Sequence, residues 1–174
     1  MEWWSGWPFF HYCSGGLSVG GAGKELRVSK IANGTVIDHI SPGKAWIVLR
    51  ILGITERSDV VISFLMNVPS KKYGKKDVVK IENRELTEEE LNKIALVAPD
   101  ATINIIRNFE IVEKRRVELP EFIEGVVKCS NPGCITNASE PVVPKFRVVS
   151  KAPIALRCAY CERITGEEEL LSQF

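Results

Sequence analysis

Four cysteines near the C-terminus form two close pairs, and their spacing is the strongest chemical signal in the sequence. Four residues separate Cys129 from Cys134, two separate Cys158 from Cys161, and 23 lie between the pairs. Two such pairs can converge on one tetrahedral ion, and the turn residues 131–133 would aim the first two sulfurs inward. Four thiolates leave no position for water, so we predict a structural zinc ion rather than a catalytic one.

Other interpretations of these cysteines stay open at this level. Paired spacing is also compatible with free or disulfide-bonded thiols. Thiolates alone do not select zinc over iron, so a rubredoxin-like iron site is a second alternative. A fifth cysteine, Cys13, lies in the N-terminal 23 residues, and without it the other four fall into two pairs, which favours a metal.

The remaining sequence offers little for catalysis and more for anion binding. It has no recognisable Ser-His-Asp motif and no phosphate-binding glycine loop. His39 follows Asp38, either as half of an acid–base pair or as a hydrogen-bonded pair without chemistry. Two basic clusters are either a solvated surface or, if their strands are neighbours, a site for a phosphorylated ligand. They comprise Lys71, Lys72, Lys75, Lys76 and Lys80, and Lys114, Arg115 and Arg116.

The composition is that of an ordinary globular protein, with 45% hydrophobic and 26% charged residues. A net charge of +1 gives no global attraction to nucleic acid or acidic membranes, and no apolar run is long enough to span a bilayer. Residues 1–23 are rich in tryptophan and glycine and carry one charged side chain, Glu2. Ser5, Gly6 and Pro8 interrupt any signal-peptide core, so we interpret this stretch as a disordered or non-homologous extension and the protein as cytoplasmic.

Residue periodicity predicts an α+β unit between residues 24 and 119. Strands are predicted at residues 24–31, 35–40, 60–68, 77–82, 101–107 and 109–117, and helices at 45–52 and 88–97. Asn33-Gly34 indicates a hairpin between the first two strands, the run 60–68 indicates a buried strand, and Thr87 with Glu90 indicates a capping box. This order places both helices on one face of a mostly antiparallel sheet.

The pattern changes after Leu119-Pro120, where short strands alternate with the cysteine pairs. The main apolar positions there are Ile123, Val126, Val127, Phe146, Val148, Val149, Ile154 and Leu156. So small a core needs a metal to hold it together. The acidic residues 166–174 predict a frayed end.

Several separate motifs occur together with the four cysteines, in one order along the chain. They are Gly34-Thr-Val-Ile-Asp-His-Ile40, Asn67-Val-Pro-Ser70 with Gly74-Lys-Lys-Asp77, Lys80-Ile-Glu-Asn83, and Ala98-Pro-Asp-Ala-Thr-Ile-Asn104. From Leu26 to about Arg163 the sequence closely resembles the regulatory chain of aspartate carbamoyltransferase. Residues 1–23 have no counterpart in that family.

The resemblance implies a non-catalytic regulatory subunit in de novo pyrimidine biosynthesis. Its nucleotide effector domain, residues 24–119, is expected to be a ferredoxin-like antiparallel sheet with two helices on one face. Residues 120–174 are expected to form a small all-β zinc domain, rubredoxin-like or zinc-ribbon, that contacts the catalytic chain. Regulatory dimers then link catalytic trimers into a dodecamer of six catalytic and six regulatory chains, with no nucleic-acid or membrane partner. CTP typically inhibits and ATP activates, and UTP acts alongside CTP in some members.

The family's effector pocket maps onto eleven positions of this chain. They are Val28, Ile31, Val36, Asp38, His39, Val78, Lys80, Asn104, Ile106, Ile111 and Lys114. The resemblance implies that Lys80 and Asp38 hold the sugar, that His39 and Lys114 face phosphates, and that backbone groups around Ile31 and Ile106 read the base. Ser29, Lys30 and Phe109 depart from the best-known enterobacterial member, so the resemblance does not fix which nucleotide is preferred.

Two functions from other classes compete with this interpretation. A zinc ribbon that binds nucleic acid would use the basic loop and Arg115-Arg116, but the near-neutral charge and few aromatics of the zinc domain count against it. A rubredoxin-like electron carrier would use the four thiolates to hold iron. Neither explains the motifs between Gly34 and Asn104.

Overall fold

The computed structural model describes residues 29–72, 74–139 and 141–174, so the predictions for residues 1–28, which include Cys13 and Val28, lie outside the described residues. The first part contains β1 (Gly34–Ile40), α1 (Ala45–Ile51), β2 (Ile62–Ser70), β3 (Gly74–Glu82), α2 (Glu88–Val97), β4 (Thr102–Arg107) and β5 (Glu110–Arg116). The second part contains β6 (Phe122–Glu124), a 3-10 turn (Ile135–Asn137), β7 (Lys145–Lys151), β8 (Ile154–Cys158), β9 (Ile164–Gly166) and α3 (Glu167–Leu171). Within the described ranges, no helix is long and apolar enough to cross a membrane.

The first five strands form one antiparallel sheet in the order β2-β3-β1-β4-β5. The arrangement of β1 to β4 with the two helices is the ferredoxin-like one, and β5 extends the sheet at the β4 edge. Ile37, Val79 and Ile103 alternate onto the helix-covered face and are almost fully buried. The predicted α+β class is therefore confirmed, and no helix of the described residues covers the opposite face of the sheet, which we call the open face.

The predicted hairpin at Asn33-Gly34 is wrong. Residues 29–33 are not in a strand, and β1 pairs with β3 on one side and β4 on the other, so both of its edges are taken. Gly34 has a φ of 134°, and a Cβ added there would lie 2.1 Å from the carbonyl oxygen of Ile81. This glycine therefore permits a close approach to β3 rather than a two-residue turn.

The prediction of a buried strand at residues 60–68 is also wrong in part. A strand forms at Ile62–Ser70, but it is an edge strand, and Phe64 and Met66 are about two-fifths exposed. Its register with β3 is irregular between Leu65 and Val68, where Asn67 has a φ of 56°. An apolar run indicates burial only if both strand faces have partners, and sequence does not reveal which strand lies at the edge.

The carboxylate of Asp77 organises three segments from inside the fold. Its side chain is fully buried and accepts hydrogen bonds from Gly43 N at 2.7 Å and Ala45 N at 3.2 Å, at the start of α1. It also accepts one from Asn67 N at 2.8 Å, at the irregular point of β2. Because α1 has no side-chain cap of its own, Asp77 supplies the acceptor for the backbone donors at its start, of which Ala45 N is buried.

The second sheet has the order β6-β7-β8-β9, and its core is small. Phe146, Leu156 and Ile154 are buried as predicted, whereas Val149 is about half exposed. The frayed end predicted for residues 166–174 is wrong, because α3 forms there and Leu170 is fully buried. The capping box predicted at Thr87 and Glu90 is present, with both of its hydrogen bonds.

We predict that Asp77→Ala will lower the free energy of unfolding by about 3 kcal/mol, because it leaves three backbone N–H groups without an acceptor. Urea unfolding followed by circular dichroism measures this loss. Asp59→Ala, at an exposed position, is the matched control and should change the free energy by less than about 0.5 kcal/mol. Equal stability of the two variants would contradict the role assigned to Asp77.

Candidate metal centre and ligand-binding face

The four cysteines predicted as metal ligands converge on one point. Their Sγ atoms all lie within 4.8 Å of one another. Cys129 Sγ is 3.5 Å from Cys161 Sγ, and Cys134 Sγ is 3.7 Å from Cys158 Sγ. Sulfurs at the corners of a zinc tetrahedron with bonds of about 2.3 Å lie about 3.8 Å apart, so the cluster fits such an ion. The separations are too long for disulfide bonds, and all four thiols are free.

The first pair is held by a tight turn. Cys134 N donates to Asn131 O at 3.0 Å, and Gly133 N donates to the Asn131 side chain at 3.0 Å. Asn137 Nδ2 reaches back to the carbonyl oxygens of Cys129 and Asn131, each at 2.8 Å. Two asparagines therefore fix the backbone that carries both sulfurs, in agreement with the turn predicted at residues 131–133.

The second pair lies where β8 ends. Cys158 N donates to Arg163 O at 2.9 Å, and Glu162 N donates to Cys158 O at 3.0 Å, which closes a turn around Cys161. Glu162 has a φ of 61°, a left-handed conformation that glycine adopts more easily. The turn brings Cys161 back to face the sulfurs of the first pair.

Hydrogen bonds and burial act differently on the individual thiols. Burial raises the pKa of Cys129 to about 12. A hydrogen bond from the backbone N–H of Arg163 lowers the pKa of Cys161 to about 6. The Thr136 hydroxyl, 3.2 Å from Cys134 Sγ, lowers the pKa of that thiol. Donors that favour thiolate at two of four sulfurs suit a cation in the centre, because metals bind the deprotonated form.

The open face of the first sheet brings together four positions predicted for the effector pocket. Val36 lies opposite Lys80 on β3 and Asn104 on β4, and Asn104 lies opposite Lys114 on β5. Residues that are directly opposite in an antiparallel sheet share a face. Lys80, Val36, Asn104 and Lys114 therefore form one row across four strands, and we call this the central row.

A second row lies two residues further along the strands. Asp38 lies opposite Thr102, which lies opposite Arg116. The pairing of β1 with β3 is irregular between Ile37 and Ile40, and His39 there has a φ of 61°. Bulges of this kind redirect side chains, and His39 lines a cavity beside this row.

That cavity has a volume of about 300 Å³ and a basic lining, and we call it the basic cavity. Its walls are formed by His39, Lys72, Asp100, Thr102, Lys114, Arg115 and Arg116. Four of these side chains carry permanent positive charge and one carries negative charge. Lys72 belongs to the first basic cluster of the sequence, and Lys114, Arg115 and Arg116 belong to the second. The cavity therefore brings one residue of the first cluster together with all three residues of the second.

The other end of the open face is apolar. Gly34 lies opposite Ile106, and Ile106 lies opposite Ile111. Ile31 and Ile106 are buried, and Ile111 is about 60% exposed. Val78 is also buried, but it lies two residues from Lys80 towards Asp77, at the Asp38 end of the face. The face therefore changes from apolar to cationic along the strand direction.

Protein partners hold the side chains of Asp38 and Lys80 in the predicted pocket. The Asp38 carboxylate accepts from Lys76 Nζ at 2.7 Å and from His39 N at 2.7 Å. Lys80 Nζ donates to Ser29 O at 2.9 Å. These contacts hold the side chains on the open face and connect it to the segment that precedes β1.

Two lining residues of the basic cavity, Thr102 and Asp100, were not named as candidates from the sequence, and Arg116 was named only as part of a basic cluster. Thr102 and Arg116 are two positions from Asn104 and Lys114, so period-two alternation on β4 and β5 would have placed them on the same face. Asp100 precedes β4 and offered no signal of this kind. Val28 is the one predicted pocket residue that lies outside the described residues.

Comparisons with known proteins agree with this geometry. Residues 26–118 match the family model described as aspartate carbamoyltransferase regulatory chain, allosteric domain. Residues 121–171 match the model described as aspartate carbamoyltransferase regulatory chain, metal binding domain. Together the two models account for both sheets and for all four cysteines of the cluster.

Individual relatives carry the same description. The aspartate carbamoyltransferase regulatory chain of Pyrococcus horikoshii is 58% identical over 149 residues, 85% of this chain and 97% of the relative. That of Korarchaeum cryptofilum is 55% identical over 151 residues, 86% and 96% of the two chains. That of Sulfolobus acidocaldarius is 48% identical over 157 residues, which are 90% of this chain and 96% of the relative. The chain belongs to the family of aspartate carbamoyltransferase regulatory chains, which are not catalytic, and it carries their allosteric and metal-binding domains.

Proposed function

We propose that this chain regulates aspartate carbamoyltransferase in pyrimidine biosynthesis by binding CTP or ATP, and UTP in addition, on the open face of its first sheet. The observation that carries the proposal is the change along that face from an apolar end at Ile106 to the basic cavity. Ile106, Asn104 and Thr102 lie on one face of β4, and four residues of strand span about 14 Å. A molecule with a planar base at one end and a chain of phosphates at the other suits such a surface.

The proposed site consists of the eleven positions that the resemblance indicates, including Val28. Ile31, Ile106 and Ile111 form the base end, with backbone groups around Ile31 and Ile106 reading the base. Lys80 and Asp38 hold the sugar, and Lys76 keeps the Asp38 carboxylate in place at 2.7 Å. His39 and Lys114 face the phosphates from opposite sides of the basic cavity.

The charge of the basic cavity favours phosphate over other anions. Lys72 comes from the β2–β3 connection and Lys114 and Arg116 from β5, so a ligand with several anionic groups can contact them together. The carboxylate of Asp100 offsets part of this positive charge. It would repel any anionic group of a ligand that no lysine or arginine contacts. The side chains that meet here carry no Ser-His-Asp or open metal site, which suits binding without turnover.

We predict that Lys114→Ala will weaken binding of CTP and ATP by about tenfold to a hundredfold, because it removes a charged donor to phosphate. Isothermal titration of the zinc-loaded chain measures the affinity. Lys151→Ala removes an exposed lysine from β7 and is the matched control, with an expected change of less than twofold. If both variants bind as tightly as the unaltered chain, the phosphate site is not in the basic cavity.

We further propose that residues 120–174 fold around one zinc ion held by Cys129, Cys134, Cys158 and Cys161, and that they dock on the catalytic chain. Four thiolates close the coordination sphere, so the zinc supplies structure and no chemistry. Residues 120–174 leave large apolar side chains about half exposed at Ile135, Val143, Tyr160 and Ile164, of which Ile164 lies on β9 and the others in turns and loops. Exposed apolar groups next to a rigid metal site suit a docking surface. A thiol cluster also suits the reducing cytoplasm.

We predict that zinc removal will abolish assembly with catalytic trimers but spare the effector domain, residues 24–119. The buried residues of the two domains form one continuous cluster, but α1 and α2 cover the first sheet from within residues 24–119. The few buried residues of the second sheet, by contrast, depend on the metal. Chelation followed by analytical ultracentrifugation with catalytic trimers, and CTP titration of the same sample, separates the two effects. Cys158→Ser should reproduce the chelated state, and assembly by chelated chain would contradict this division of roles.

The arrangement of six catalytic and six regulatory chains that we propose needs a regulatory dimer. Among the strands that the structure describes, β2 has a neighbour on one side only. The ring of Phe64 on this strand lies next to that of Trp46 on α1, with centroids 5.8 Å apart. They line a largely apolar cavity of about 450 Å³, and Trp46 is 58% exposed. An exposed edge with large apolar side chains is suited to pairing with a second copy.

We predict that Phe64→Lys will convert the regulatory dimer to a monomer, because it places a charge in the apolar contact. Light scattering after size exclusion gives the mass directly. Val149→Lys adds the same charge at an exposed apolar position of the second sheet and should leave the dimer intact. A dimeric Phe64→Lys chain would rule out this edge as the contact.

A further inference from the structure

The ammonium group of Lys44 joins three helices. Lys44 is the residue before α1, and its Nζ donates to Val97 O at 3.2 Å, at the end of α2. The same Nζ forms an ion pair with Glu167, the first residue of α3 in the metal-binding domain, at 2.5 Å. One side chain of the allosteric domain therefore holds the first turn of a helix in the other domain.

Electrostatics favour each of these contacts. A cation is stabilised at the carboxyl end of α2, and a carboxylate is stabilised in the first turn of α3. The two side chains are 22% and 30% exposed, whereas those of Arg107–Glu85 are more than half exposed. An ion pair that is shielded from solvent is less screened by salt, so this contact fixes geometry better than a surface pair does.

The start of α1 is connected to the proposed effector site through β3. Asp77 binds Gly43 N and Ala45 N, the residues on either side of Lys44. The preceding residue, Lys76, binds Asp38 on the open face. A shift of β3 at residues 76 and 77 would therefore move both the Asp38 carboxylate and the backbone that carries Lys44.

We propose that the Lys44–Glu167 ion pair is an interdomain latch, through which residues 38, 76 and 77 are coupled to the orientation of the metal-binding domain. The latch fixes α3 against the start of α1 and the end of α2. Its regulatory part rests on the proposed function, because it requires a nucleotide to bind beside Asp38.

The latch itself is tested without nucleotide, by amide hydrogen exchange of the zinc-loaded chain. In Lys44→Met and in Glu167→Gln, exchange of the α3 amides and of residues 118–121 should be about fivefold faster than in the unaltered chain. The double variant should exchange no faster than either single one, because the contact can be lost only once. Glu168→Gln, at the exposed neighbouring position, should change nothing. Unchanged exchange in both single variants overturns the latch.

The regulatory part is tested with CTP on the complex with catalytic trimers. Lys44→Met should bind CTP with unchanged affinity but lose about twofold to tenfold of the CTP effect on aspartate saturation. A full CTP effect in this variant overturns the coupling, even if the hydrogen exchange supports the latch. Absence of CTP binding to the unaltered chain is a different result, which refutes the proposed function and the coupling together and leaves the exchange experiment as the test of the latch.

Discussion

The pairing of β1 on both sides is the constraint on which the open face depends. Because β3 and β4 both hydrogen-bond to β1, alternate residues of four strands fall into common rows, and the central row collects Lys80, Asn104 and Lys114 around Val36. A shift of one residue in either register would turn these side chains towards the helices and bury their charges. The close approach of Gly34 to β3, which a side chain would obstruct, supports that register at one end.

The buried Asp77 carboxylate connects this sheet to the helix layer. Three backbone donors satisfy it, so its burial does not leave an unpaired charge. Its neighbour Lys76 holds Asp38 on the open face, and the next residue on the other side, Val78, is buried at that same end of β3. Helix placement, the irregularity of β2 and the position of Asp38 on the open face therefore depend on the same short segment of β3.

Local features of the structure were predictable from sequence, and features that depend on distant partners were not. The cysteine spacing and the capping box at Thr87 involve residues a few positions apart, so the chain itself carries the signal. The neighbours of β1, the edge position of β2 and the burial of Leu170 are set by tertiary contacts, and each prediction about them failed. The basic cavity was predictable only in part. The period-two alternation of strand residues indicates which of them share the open face, but it does not indicate the bulge of β1 at His39.

Non-glycine residues in left-handed backbone conformations recur at the sites discussed above. His39, Phe109 and Glu162 have φ values of 61°, 65° and 61°, at the basic cavity, at the β4–β5 turn and at the second cysteine pair. Each such conformation costs about 1–2 kcal/mol relative to glycine. At Phe109 the backbone N–H donates to Ala32 O at 2.9 Å and ties the turn to the segment before β1, while the ring remains 60% exposed. Glycine would relieve the strain there but would remove an aromatic surface beside the apolar end of the open face, which is where a base would need one.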